Sequence, residues 1–137
     1  MRLRDIMSEA VEIIAADASV NEARELMRRQ DIRHLVVVER SALVGVLSAH
    51  DLRQAEGMWS VRSIMSAPVV TATPQASLRQ AANLMRGNHV SCLPVLDEQG
   101  QVIGIVTVSD LLDLIGKGVT REPAVRKRQH RSYMPGR

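Results

Sequence analysis

Phenylalanine is absent from this chain of 137 residues, and tryptophan and tyrosine occur once each. The core must therefore be packed from Val, Ile, Leu, Met and Ala, and almost no aromatic surface is left on which nucleic-acid bases could stack. One cysteine, Cys92, excludes an intramolecular disulfide and fits a reducing compartment. Long apolar runs are missing too. The longest, Ala42 to Leu47, falls far short of the roughly 20 residues that a membrane-spanning helix needs. Asp5, Glu9 and Glu12 interrupt any secretory signal core at the N-terminus. The expected location is cytoplasmic, with no membrane span.

Lysine is missing from residues 1–116, where 11 Arg face 14 Asp plus Glu, a net charge of −3. Residues 117–137 hold Lys117, Arg121, Arg126, Lys127, Arg128, Arg131 and Arg137 against Glu122, a net of +6. The overall +3 thus belongs to a basic tail on a mildly acidic body. Rich in Pro and Gly and without apolar periodicity, residues 117–137 read as a disordered tail. Such a tail could meet nucleic acid through phosphate contacts alone, or serve solubility only. Motifs for most chemistry are also lacking. Gly116-Lys117-Gly118 has neither the upstream Gly nor the following Ser/Thr of a phosphate loop, and no G-x-G-x-x-G, H-E-x-x-H, C-x-x-C or G-x-S-x-G occurs. His34, His50 and His89 lack metal-ligand spacing. No enzyme, no catalytic residue, no metal and no required cofactor is expected.

What is present is a duplication. Arg4-Asp5-Ile6-Met7-Ser8 returns as Arg62-Ser63-Ile64-Met65-Ser66, and Leu26-Met27-Arg28 as Leu84-Met85-Arg86, at an offset of 58. After one extra residue in the second copy, Gly45 matches Gly104 and Asp51-Leu52 matches Asp110-Leu111. Repeats at residues 1–56 and 61–116, with a linker at 57–60, account for the chain before its tail. Each repeat has the same order. A leader (Leu3–Met7; Val61–Met65) precedes a short strand (Val11–Ile14; Val69–Ala72), then a helix capped by Ser19 or Ser77. Two strands follow (Leu35–Val38 with Ala42–Leu47; Cys92–Leu96 with Val102–Val106), and a helix from Asp51 or Asp110 closes the repeat. The turn containing Gly100 has better chemistry than Glu39-Arg40-Ser41, because glycine tolerates positive φ. A unit of this size is marginal alone. The simplest arrangement is an α+β fold of two tandem β-α-β-β-α repeats packed by pseudo-twofold symmetry.

The Ile-Met-Ser leaders, the Leu-Pro-Val-Leu-Asp run at 93–97 and the Gly-h-h-Ser/Thr-x-x-Asp ending of each copy (h, hydrophobic), in order and twice, resemble a tandem pair of CBS domains, the module named after cystathionine β-synthase. The resemblance covers about residues 2–116. It implies two symmetry-related clefts between the repeats, assembly of two such pairs into a flat homodimer, and binding of an adenosine-containing regulatory ligand: AMP, ADP, ATP, NAD or S-adenosylmethionine. A partner protein, of unknown identity, would read the bound state; the alternative is a structural dimerisation module that binds no ligand.

The closing motif suits that ligand. Thr107 ends a strand, and Asp110 lies one helical turn on, on the same side. A carboxylate can accept two hydrogen bonds from a ribose diol, and the hydroxyl can serve a ribose or phosphate oxygen. Ser48 and Asp51 are the first-copy equivalents. The bland alternative is a helix cap or a favourable dipole partner. Val11 and Ile13, with Val69 and Thr71, are candidates for walling an adenine, or are ordinary strand core. His50, between Ser48 and Asp51, and His34, beside Arg33, are candidate phosphate ligands in the first copy. Near its reference pKa, histidine would make anion binding pH-sensitive; a structural role is the alternative. Gly104 admits a close backbone approach.

Overall fold

The computed structural model describes residues 1–117; the expectations for the rest of the tail lie outside the described residues. The fold is mixed α/β with two small sheets. Among the described residues the chain divides into a contiguous unit, Glu12–Val69, and a split unit made of Met1–Val11 with residues 70–117.

In the contiguous unit, β1 (Ile13–Ala15) runs parallel to β2 (His34–Glu39), which pairs antiparallel with β3 (Ala42–Ser48). Between β1 and β2, α2 (Val20–Gln30) begins where Ser19 Oγ accepts the Glu22 N–H and Glu22 returns a bond to the Ser19 N–H, a reciprocal cap. Its apolar side buries Val20, Ala23 and Met27 with Ile14, Leu35, Val37 and Leu47. After β3 comes a single turn, α3 (Ala49–Leu52), and after the connector another, α4 (Val61–Ile64). Ser66, just beyond α4, bridges Val46 and so extends the sheet past β3.

The split unit repeats this arrangement. Its first turn, α1 (Leu3–Ile6), leads to Ser8, which bridges Ile105. Helix α5 (Leu78–Asn88) carries the same reciprocal cap, between Ser77 and Gln80. Strands β4 (Cys92–Leu96) and β5 (Val102–Thr107) pair antiparallel, and α6 (Val108–Lys117) follows. Leu3, Ile6 and Met7 join Ala72, Ala81, Met85, Leu93, Val95, Val106 and Leu114 in one core.

The compact units therefore cut across the repeats. The leader that opens one repeat in sequence completes the sheet of the other. The glycines of the closing motifs make this possible: a Cβ on Gly45 would lie 3.1 Å from Ser66 O and crowd Met65, and one on Gly104 would lie 3.1 Å from Ser8 O and crowd Met7. The close approach expected at Gly104 is thus made by the leader's own main chain.

Two elements differ from the sequence expectation. Strand β1 is shifted to Ile13–Ala15, and the strand expected at Val69–Ala72 shrinks to one bridge, Ala72 to Val95. Proline explains the second difference. In the contiguous unit the Val36 N–H bonds Glu12 O and carries the ladder onward. The aligned residue is Pro94, which has no N–H to offer Val70.

Candidate functional site

Ser48 ends β3 and Thr107 ends β5, each at the point where the chain turns into a helix. There the two closing motifs have one geometry. The Asp51 N–H donates to Ser48 Oγ at 3.2 Å while Asp51 Oδ2 accepts the Ser48 N–H at 2.8 Å. The Asp110 N–H donates to Thr107 Oγ1 at 3.2 Å while Asp110 Oδ2 accepts the Thr107 N–H at 2.8 Å. The spacing of hydroxyl and carboxylate is first of all a reciprocal helix cap, the bland alternative of the sequence reading. It pairs helix-start and strand-end N–H groups that would otherwise lack partners.

The cap commits only Oδ2 of each aspartate. A carboxylate has lone pairs for about four hydrogen bonds across its two oxygens. The cap therefore fixes the carboxyl plane through Oδ2. Asp51 is partly exposed, whereas Asp110 is buried to 5% exposure.

His34 opens β2 directly opposite Ser48 in the ladder, so the contiguous unit gathers His34, Ser48 and Asp51. Burial, with Arg33 adding to it, pushes the imidazole down to about 4 despite the opposing pull of Asp51. At neutral pH His34 is therefore uncharged, and the pH-sensitivity expected of a histidine near its reference pKa does not apply to it. His50 sits on α3 with its side chain in solvent. Cys92 is the split-unit counterpart of His34, buried and opposite Thr107.

The candidate adenine walls are dispersed. Ile13 is 55% exposed on β1, with β2 lying between it and Ser48. Val11 and Val69 are half-buried at the two points where the chain passes between units. Thr71 opens into a groove of about 750 Å³ whose lining includes neither Thr107 nor Asp110.

The sequence reading missed Arg24. Its Nη2 donates to Leu52 O at 2.7 Å and to Ala55 O at 2.6 Å, capping the turn that carries Asp51. The signal was available as asymmetry, since Ala82 occupies the aligned position in the second repeat. Among the described residues no three His, Cys, Asp or Glu side chains converge as a metal-ligand set, and no helix is long and apolar enough to cross a membrane.

The family model described as "CBS domain" matches the chain twice, at residues 3–57 and 61–117. A homoserine O-acetyltransferase of Methanosphaerula palustris is 34% identical over 119 residues, which are 85% of this chain and 24% of that protein. The chain thus spans about a quarter of that relative's length. Among solved structures, the CBS domain pair of protein MJ0100, in complex with 5′-methylthioadenosine and S-adenosyl-L-methionine, is 29% identical. It superimposes with a TM-score of 0.78, covering 85% of this chain and 97% of that one. The cytosolic domain of the Mg2+ channel MgtE in complex with ATP is 33% identical with a TM-score of 0.68, over 80% of this chain and 46% of that one.

Proposed function

The chain belongs to the CBS domain family, and on that premise we propose that it is a non-catalytic, cytoplasmic regulatory module whose two closing motifs each hold the ribose of an adenosine-containing ligand. One observation carries the reading: the same hydroxyl–carboxylate pair stands twice at a strand–helix junction, each carboxylate held in place by a main-chain N–H on Oδ2. A preorganised acceptor of this kind loses little side-chain freedom when a ribose diol arrives. Asp51 and Asp110 take the diol, and the Ser48 and Thr107 hydroxyls serve the remaining ribose or phosphate oxygens. His34 contributes as a neutral hydrogen-bonding ring, and His50 reaches a phosphate from solvent. Val11, Ile13, Val69 and Thr71 are the candidates for contact with the base.

Support comes from the relatives, since the MJ0100 pair and the MgtE domain were solved with adenosine-containing molecules. Ligand binding acts by favouring one of two arrangements, to the extent that its affinity differs between them. A homodimer of such modules is the form in which an effector protein would meet that change. Calorimetric titration with AMP, ADP, ATP, NAD and S-adenosylmethionine tests the reading. At least one should bind the folded, nucleotide-free protein; no heat from any of the five would sink it.

A further inference from the structure

We propose that the split unit carries a docking groove for an extended, carboxylate-bearing peptide of a partner protein, formed by the outer edge of Thr71–Thr73 and the polar side of α5. Along this segment the main chain alternates. The Ala72 N–H donates to Pro94 O and Ala72 O accepts the Leu96 N–H, so both groups of Ala72 face β4. The N–H groups of Thr71 and Thr73 and the carbonyl of Thr71 consequently point away from the sheet, and they have no backbone partner among the described residues. An edge of this kind is a template for another strand. Thr71 C=O and Thr73 N–H are spaced to accept from and donate to a single residue of a strand running parallel to them.

The groove beside that edge is about 750 Å³, floored by Ala72, Ala76 and Leu84 and walled by Gln80, Asn83 and Asn88 of α5. No acidic residue lines it. Arg2 does, at the end where the segment runs on to Gln75, whose carbonyl accepts from Arg2 Nη1 at 2.9 Å. A parallel peptide therefore brings its C-terminal end, or an acidic side chain there, toward the one lining cation. The duplication supplies an internal contrast. At an offset of 58, Gln75, Gln80 and Asn83 align with Asp17, Glu22 and Glu25, so the matching edge at Ile13 offers carboxylates where this one offers amides. Charge selects the split unit for an anionic peptide. The groove's lining includes neither Thr107 nor Asp110 and shares only Thr71 with the residues proposed for the base, so binding of the peptide does not require a nucleoside.

The test is a titration of the ¹⁵N-labelled full chain with acetyl-Val-Thr-Val-Thr bearing a free C-terminal carboxylate, followed by NMR. The Thr71 and Thr73 amide resonances should move together at millimolar peptide. The C-terminal amide of the same peptide should bind about tenfold more weakly, since it lacks the charge-assisted bond, and Arg2→Gln should abolish that difference. Thr73→Pro, which deletes one edge donor, should remove binding, while Thr73→Val, which keeps it, should not. The proposal is overturned if those two amides stay fixed or if acid and amide bind alike. It is also overturned if Thr73→Pro binds as before, or if the edge is already taken by a second copy, seen as Thr71 exchange protection that rises with protein concentration.

Discussion

At the scale of the residue, each closing-motif aspartate has one visible job and one proposed one. One is structural and visible: Oδ2 holds the N–H of Ser48 or Thr107. The other, proposed, belongs to Oδ1. The sequence displayed the residue types and their spacing, and both readings of them, but spacing alone does not say that a cap and a ligand contact can share a carboxylate. His34 was legible as a candidate and misleading in its charge. Its aqueous pKa lies near 6.5, and only the fold shows the ring half-buried at the start of β2 and its pKa pushed down to about 4. A depressed histidine pKa means that the unfolded chain takes up a proton before the native protein does. Stability should therefore fall as the pH drops from about 6.5 toward 4. His34→Gln should flatten that limb: its melting temperature should change less than the wild type's between these two pH values. Identical slopes would show that burial does not depress the His34 pKa as described.

At the scale of the element, helix starts were the most legible feature, because Ser19 and Ser77 advertise themselves by local chemistry that needs no tertiary partner. Strand ends were less so. Pro94 stood in plain view, yet its effect falls on Val70, some two dozen positions away, through a bond it cannot donate. The turn between β2 and β3 shows a related limit. Arg40 and Ser41 both adopt positive φ, 54° and 67°, in a two-residue hairpin turn that favours Asn-Gly. The other repeat places Gly100 at φ 82° and uses Asp97 Oδ1 to accept the N–H groups of Gln99 and Gln101. Left-handed backbone costs a non-glycine residue about 1–2 kcal/mol. Arg40→Asn combined with Ser41→Gly should stabilise the protein by about 1–2 kcal/mol, seen as a melting temperature higher by roughly 5 °C. An unchanged or lower value would mean that this turn is not strained.

At the scale of the whole molecule, the duplication was legible and the exchange of leaders was not. Periodicity assigns Ile6-Met7-Ser8 to the first repeat and Ile64-Met65-Ser66 to the second. The sheet edges assign them the other way, through Ser8 to Ile105 and Ser66 to Val46. Nothing in a leader's own residues states which copy it will complete. The signal lies in Gly45 and Gly104, which must be small because a leader crosses them. Neither repeat alone carries all the residues of a compact unit, which explains why the two are found joined by so short a connector. The proposed function places one ligand site at each of the two matching closing motifs, and that pairing makes the account testable by counting. The measurement is calorimetric stoichiometry, with whichever adenosine ligand binds, for the wild type, Asp51→Asn, Asp110→Asn and the double variant. Asparagine keeps a side-chain oxygen for the cap but loses the charge, so the melting temperature should hold while affinity at the altered motif falls about tenfold or more. Each single variant should affect only its own site, and the double variant should bind nothing measurable. Four proteins with the same affinity and the same number of sites would contradict the account.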